Sequence, residues 1–484
     1  MDTAGKLQMP DYAVVATYMV AMLVIGWWCG RKIEGSRRYF VGDGKIHFVA
    51  VGLSVLATYL SALTMIALPA MAYGEHDWTY TVQLPFLVLT AYVITRFVVP
   101  LYRRAGVISV YELFEQRIHV SARLFGSVSF LVMSLARMSI LLYLTSLAIY
   151  TATGMDLAWT IVIMGVVTVL YTAIGGIEAV IYTDVIQAII FIAGAFVSLF
   201  FIVRDIPGLQ FLDIANEYHK FRVLAPGFDL TKIVTLWLIL ETVFQTIRIY
   251  GTQQDITQRY ATTGSIAKAN RSVWIGTLTY IPLGYLFYFI GTALFVYYKI
   301  HPELPVPAKP DQIYPYFVVT RMPAGLPGLM IGAFLAASMS SISSSMNSVA
   351  TVCVEDFMKR FARTPRSDDY FLFRAKLLTY GWGLLSILLA LAFVKASYAQ
   401  VLWGKLMGLC TNGVLGILVL ALLPIRINKW AAGAGIVTGY AALFLMIRNN
   451  VNFLLWPVIG NLVCFFVALL LSRLLNRRIQ SLPP

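Results

Sequence analysis

Charge is the scarcest property of this chain. Asp, Glu, Lys and Arg make up 12% of its 484 residues, about half the share usual in a soluble domain. So few charges cannot cover a surface when 59% of residues are apolar and the mean hydropathy is +0.77. A large soluble fold is excluded; a lipid-embedded one is not. Histidine is also sparse. The five histidines (His47, His76, His119, His219, His301) lie in or near polar loops. No H-E-x-x-H run and no paired-carboxylate pattern accompanies them, which argues against an intramembrane enzyme. The four cysteines (Cys29, Cys353, Cys410, Cys464) lie in or beside apolar runs, without the spacing of a disulfide framework or a metal site. They read as small buried hydrophobes. The first residues carry neither a basic n-region nor an A-x-A site, so no cleaved signal peptide is expected. The net charge of +14 raises the question of nucleic acid, but the basic residues are dispersed over short loops rather than gathered in one patch. No nucleic-acid partner is expected.

What is present is a series of long apolar runs, near 12–30, 48–73, 78–102, 124–150, 157–173, 183–203, 231–250, 272–298, 325–354, 375–395, 401–423, 430–447 and 451–472. At about 20 residues per span, about thirteen transmembrane helices use about 260 residues and leave room for loops. Lys and Arg concentrate in alternate loops: Arg31 to Lys45; Arg103, Arg104, Arg117 and Arg123; Arg259, Lys268 and Arg271; Lys359 to Lys376; Arg426 and Lys429; and the tail with Arg473, Arg477 and Arg478. The positive-inside rule then puts the N-terminus outside and the C-terminus in the cytoplasm. The loops 205–229 and 300–323 are expected outside. Segment 109–119 reads as a short amphipathic helix on the inner surface.

Polar residues at bilayer depth carry the functional signal. The second run holds Ser54, Thr58, Tyr59, Ser61 and Thr64, followed by Pro69. Hydroxyls can replace backbone partners where a membrane helix unwinds, and unwound carbonyls hold ions in many transporters. They can equally bond back to their own helix or join neighbouring helices. The ninth run holds seven serines between Ser338 and Ser348. Ser340 and Ser344, like Ser341 and Ser345, are four apart and share a helix face. Close packing needs only small side chains; a stripe of hydroxyls also supplies hard oxygen ligands for a cation. Asp184 opens the sixth run, either as an interfacial helix cap or as the negative charge that balances a buried cation. Arg137 lies mid-span in the fourth run, where it either meets an anionic solute or pairs with a protein carboxylate. Glu241 and Arg248 are seven residues apart on one helix face, which favours a structural role for that pair.

These segments resemble the sodium/solute symporter family, with its LeuT-like fold. The resemblance rests on the Ala337–Ser348 serine run, the Gly175–Gln187 segment and the Gly251–Tyr260 segment, and it extends over nearly the whole chain. It implies an all-α integral membrane protein with about 13 transmembrane helices and a 5+5 inverted repeat. Residues 48–203 and 231–423 form the two repeats, with an extra N-terminal helix at 12–30 and C-terminal helices at 430–472, in one transporter domain over 1–484. It implies a first Na+ site made by the carbonyls of Ala57, Leu60 and Ala337 with the hydroxyls of Ser340 and Ser341. Within the family the pattern is most similar to the bacterial sodium-coupled sialic acid symporters. That likeness implies a second Na+ site at Asp184, Ser340, Ser343 and Ser344, and a solute site with Tyr59, Ser61, Thr64, Tyr80, Gln83 and Arg137. Arg137 would meet the solute carboxylate. Tyr59 stands where a threonine is expected, and Leu84 stands where a glutamine is, with Gln83 one position away.

The implied activity is symport: import of a small anionic solute, sialic acid first, by alternating access with two Na+ per solute and no other cofactor. Another sugar, sugar acid or monocarboxylate is the nearest alternative. The expected setting is the bacterial inner membrane, with the lipid bilayer as surroundings and a functional monomer. An ion channel would need a continuous polar stripe through several spans, whereas the charges here are isolated mid-helix points. A sodium-dependent receptor would use the same residues, and uptake separates the two.

Overall fold

The computed structural model describes residues 7–74, 77–208, 210–394 and 409–480. Among these residues every regular element is helical. Nine of the described helices are long and apolar enough to cross a bilayer, and a pair bent by 58° within residues 48–73 makes a tenth candidate span. The elements that build the site are α1 (Met9–Gly30), α2 (Phe48–Tyr59), α3 (Ala62–Tyr73), α4 (Val120–Thr153), α5 (Leu157–Val203), α6 (Thr235–Thr252), α7 (Gln254–Thr257), α8 (Ile266–Ile300) and α9 (Leu326–Val352). Of the expected 401–423 span, residues 401–408 lie outside the described residues, and the remainder is a helix at Leu409–Leu422.

At 1.5 Å per residue, an unbroken helix of the length of α5 would extend about 70 Å, more than twice the ~30 Å hydrocarbon core. It does not run unbroken. Gly176 sits at φ 55° and ψ −154° inside it, and a Cβ there would stand 2.8 Å from the Tyr39 carbonyl. Only glycine meets both demands. The sequence suggested two spans with a loop from 174 to 182; the structure instead breaks at one residue. Asp184 is therefore well inside its helix, fully buried, and is not an interfacial cap.

The segment at 109–119 also differs from expectation. It is helical over Val110–Arg117, but Val110, Tyr111, Leu113 and Phe114 are buried against protein, including Ala122 and Phe130 of α4. Its apolar face is covered by the bundle rather than by lipid. The loops 205–229 and 300–323, expected outside, each hold a short helix, Gln210–Glu217 and Ile313–Arg321.

The serine-rich α9 is the central element: every residue from Met330 to Val352 is buried. Its first turn is fixed by α1. Asp11 Oδ1 accepts hydrogen bonds from the backbone N–H groups of Gly325 (2.9 Å) and Gly328 (2.8 Å). A carboxylate there satisfies donors that a helix start leaves unpaired and complements the helix dipole. The α1 backbone comes so close that a Cβ on Gly328 would stand 2.5 Å from the Asp11 Cα. Asp11→Ala is expected to lower stability by about 2 kcal/mol, read as a lower melting temperature of the detergent-solubilised protein. Asp11→Asn, which keeps an acceptor oxygen, should lose less.

Candidate functional site: two broken helices around a polar cavity

Two helices are interrupted at the middle of the bundle. α2 stops at Tyr59; Leu60 (φ −75°, ψ 132°) and Ser61 (φ −127°, ψ 167°) are extended, and α3 begins at Ala62. α6 stops at Thr252, Gln253 is extended (φ −87°, ψ 121°), and α7 begins at Gln254. The sequence pointed to the first break. The second was missed, although the polar run Gly251–Asp255 is its signal.

A break at this depth leaves carbonyls without helical partners, and no water is at hand to take their place. Here α9 and α4 supply them. Ser340 Oγ donates to the carbonyl of Ala57 (2.9 Å) and stands 3.1 Å from that of Ala337. Ser341 Oγ lies 3.2 Å from the Thr58 carbonyl and 3.3 Å from that of Leu60. Arg137 Nη2 donates to the Thr58 carbonyl at 2.8 Å. The five oxygens expected at the first sodium site thus converge in one buried place. All are neutral and hard, which suits a cation that favours oxygen ligands.

The residues expected at the second sodium site are not all together. Asp184 Oδ2 accepts from Ser54 Oγ at 2.6 Å. Ser344 Oγ stands 3.0 Å from Thr58 Oγ1. Ser343 instead donates to the Ser340 carbonyl of its own helix, at 3.1 Å. Between Asp184 and Ser344 lies a residue that the sequence had placed among the basic loop residues. Arg259 is fully buried and reaches Asp184 Oδ2 at 2.9 Å and Ser344 Oγ at 2.7 Å through Nη2, and Ser54 Oγ at 2.8 Å through Nε. Asp184 therefore already has a cationic partner. Its Oδ1 is buried without a hydrogen-bond partner.

Beside the first break is a cavity of about 310 Å³. Tyr59, Ser61, Thr64 and Arg137 line it, as expected, together with Gln245, Arg248, Gln253 and Tyr280 from α6 to α8. The Tyr59 ring packs edge-on against Tyr280 at 4.9 Å and narrows that side. Tyr80 and Gln83 do not line the cavity. Tyr80 packs in the cluster of Trp237, Leu238 and Leu454, and Gln83 Nε2 points to the Leu238 carbonyl at 3.4 Å. Leu84 is turned against α8, where a Cβ on Gly284 would meet it at 2.9 Å. Gln83 is the last residue of a short 3₁₀ turn and Leu84 is its C-cap, and neither lines the cavity.

For Arg137 the structure supports one of the two readings directly: Nη1 is paired with Asp255 Oδ2 at 3.0 Å. For Arg248 the pairing with Glu241 is electrostatic rather than a direct contact. Arg248 Nε is held by Gln245 Oε1 at 2.8 Å, and no ion pair joins it to Glu241 among the described residues. Its Nη2 is buried with no partner.

Comparison with known proteins agrees with the interrupted-helix architecture. The chain is 33% identical over 459 residues to a sodium/sialic acid symporter of Proteus mirabilis, covering 93% of this chain and 92% of that protein. It is 30% identical to a sodium/sialic acid symporter of Aliivibrio fischeri, covering 97% and 94%. A solved structure of a Na+-coupled sialic acid symporter, described as substrate-bound and outward-open with a novel Na+ site, superposes with a TM-score of 0.89 at 31% identity, over 96% of this chain and 98% of that one. A nucleobase-cation-symport-1 family transporter shares the fold at a TM-score of 0.63 and 15% identity. The sodium:solute symporter family matches residues 39–439, and the chain belongs to that family.

Proposed function

We propose that this protein is a sodium-coupled symporter that imports a small anionic solute, sialic acid first, by alternating access. The observation that carries the reading is the sharing of Thr58. Its carbonyl meets Ser341 of the sodium cage at 3.2 Å and Arg137 of the cavity at 2.8 Å. An ion that orders the break therefore also orders one wall of the solute site. Coupling requires that each ligand favour the state the other binds, and a shared backbone segment provides that. Two arginines in the cavity favour an anion. The relatives from Proteus mirabilis and Aliivibrio fischeri carry sialic acid in their names.

The finer reading has thirteen spans, with residues 48–203 and 231–423 as inverted repeats, a helix at 12–30 before them and helices at 430–472 after them. The breaks at Leu60 and Gln253 would then be equivalent points of the two repeats. The N-terminus is outside and the C-terminus cytoplasmic, in a bacterial inner membrane, and the monomer is the working unit. The protein is no enzyme. Two Na+ accompany each solute, one at Ala57, Leu60, Ala337, Ser340 and Ser341, and one on the free oxygen of Asp184 with the serines near it.

Proteoliposomes loaded with K+ test the reading. Uptake of N-acetylneuraminate is expected under an inward Na+ gradient and is expected to vanish when K+ replaces Na+ outside. Equal uptake in K+ would rule out sodium coupling. A smaller sugar acid or monocarboxylate is the second reading, favoured by the bulk of Tyr59 at the cavity wall. It predicts that such an acid competes with N-acetylneuraminate more strongly than neutral sugars do.

A further inference from the structure

Arg96 lies inside the candidate span Thr79–Ala105, seven residues before Arg103 and so about 10 Å from it along the helix axis. It is exposed, and so are its neighbours Leu89, Tyr92 and Phe97, at 50%, 56% and 53%. Tyr92 is four residues before it, on the same helix face. Large apolar side chains exposed along a membrane span face lipid, and the guanidinium among them does too. Among the described residues no carboxylate and no hydrogen-bond acceptor reaches it; its guanidinium carbon stands 5.8 Å from the Phe97 ring centroid. An arginine keeps its charge in such a place, and a charge at membrane depth is costly unless a polar group meets it. The backbone is unusual at the same point. Residues Ile94–Val98 form a π turn within the helix, a feature frequent at functional sites.

We infer that Arg96 receives the phosphate of an anionic phospholipid, in the leaflet whose headgroups lie beside Arg103 and Arg104. Those two cations close the last turn of the same helix, and Arg104 is exposed. Basic residues at the end of a span attract anionic headgroups, and the Arg96 side chain can lean along the helix towards them. A guanidinium fork takes a phosphate through two parallel charge-assisted bonds. The occupant is a lipid rather than a free phosphate ion, because an ion would have to leave water to reach this apolar face. A lipid brings its phosphate with it and lays its acyl chains on Leu89, Tyr92 and Phe97. The site also touches the transport machinery at one remove. The helix Val99–Ala105 that follows the π turn is bonded to α6 beside the second break, where Tyr102 Oη donates to the Gly251 carbonyl at 2.6 Å. A lipid held by Arg96 therefore braces a helix that holds the end of α6.

The test is native mass spectrometry of the full-length protein, titrated in detergent with phosphatidylglycerol or with phosphatidylcholine. The wild type should retain one phosphatidylglycerol about tenfold more tightly than phosphatidylcholine. A hydrogen bond between charged groups is worth about 10- to 100-fold in affinity, so Arg96→Gln should lose about that much for phosphatidylglycerol. Arg104→Gln, at the surface, should lose only about fivefold. Excess inorganic phosphate should leave the lipid in place. Arg96 has no protein partner to lose, so Arg96→Gln should fold and melt in detergent no lower than the wild type. If it does not fold, Arg96→Lys decides the matter: it keeps the charge without the fork and should hold phosphatidylglycerol less tightly than the wild type. Equal affinity of the wild type for the two lipids overturns the inference. So does an unchanged phosphatidylglycerol affinity in Arg96→Gln, or in Arg96→Lys where that is the variant available. Displacement by inorganic phosphate would make the ligand a free anion, and a dimer mass lost in Arg96→Gln would make it a second copy of the chain; either result overturns the lipid.

Discussion

Ser340→Ala is expected to raise the Na+ concentration for half-maximal uptake by about tenfold to a hundredfold while the protein still folds. The hydroxyl is one of the five oxygens proposed for the first sodium site and is fully buried. Alanine removes a ligand and leaves a space the size of one oxygen. It also leaves the Ala57 carbonyl without the hydroxyl that reaches it at 2.9 Å. In lipid that carbonyl has no water to turn to, so the loss falls on the broken segment itself. Ser341→Ala should act the same way, since its hydroxyl serves Thr58 and Leu60. Ser345→Ala is the control on the same helix. Its hydroxyl has no partner, and its sodium dependence should stay that of the wild type. A curve of uptake against Na+ for the three variants gives the result directly. Equal sodium dependence in all of them would mean that the α9 hydroxyls only help pack the helix.

The second large effect concerns Asp184 and Arg259. Both side chains are fully buried and joined at 2.9 Å. Removing one partner of such a pair leaves an uncompensated charge in a medium of low dielectric and costs about 3–5 kcal/mol. Asp184→Ala should therefore lose most of its folded yield, and loss of uptake in that variant alone says little about sodium. The informative protein is the double variant Asp184→Leu with Arg259→Leu, in which neither charge remains. Replacing a buried pair with apolar side chains is often neutral for stability, so its melting temperature should return towards that of the wild type. If a second ion uses Asp184, the double variant should show a sodium dependence of uptake with a Hill slope near one where the wild type is near two. A folded double variant with the wild-type slope would assign Asp184 and Arg259 to structure only.

The membrane-spanning helices were largely legible from the sequence because lipid imposes simple rules. Apolar runs of about 20 residues have few alternatives, and they predicted nearly every long helix. The Leu60–Ser61 break was legible because hydroxyls at bilayer depth need a reason to be there, whereas the oxygen set proposed for sodium came from the family resemblance. What was not legible depended on long-range contact. Arg259 and Arg123 looked like loop cations counted for orientation, yet Arg259 is buried on Asp184 and Arg123 pairs with Asp356 and Glu115. Which side chain a buried arginine reaches is decided by helix packing, and no local pattern records it. The same holds for Gln83, where a 3₁₀ turn changes the angle between neighbouring side chains, and for segment 110–117, whose apolar face meets protein instead of lipid. Gly176 shows the converse. A single glycine did the work expected of a loop, because its conformation alone redirects the chain.

The central claim is that sodium at the α2–α9 junction and solute in the neighbouring cavity bind as a coupled pair through Thr58. Titrating N-acetylneuraminate calorimetrically at low and at saturating Na+, with K+ keeping the ionic strength constant, tests it most directly. The account predicts that Na+ tightens solute binding in the wild type, that solute tightens Na+ binding by the same factor, and that both effects disappear in the Ser340→Ala, Ser341→Ala double variant. Solute affinity that is the same at both Na+ concentrations would contradict it.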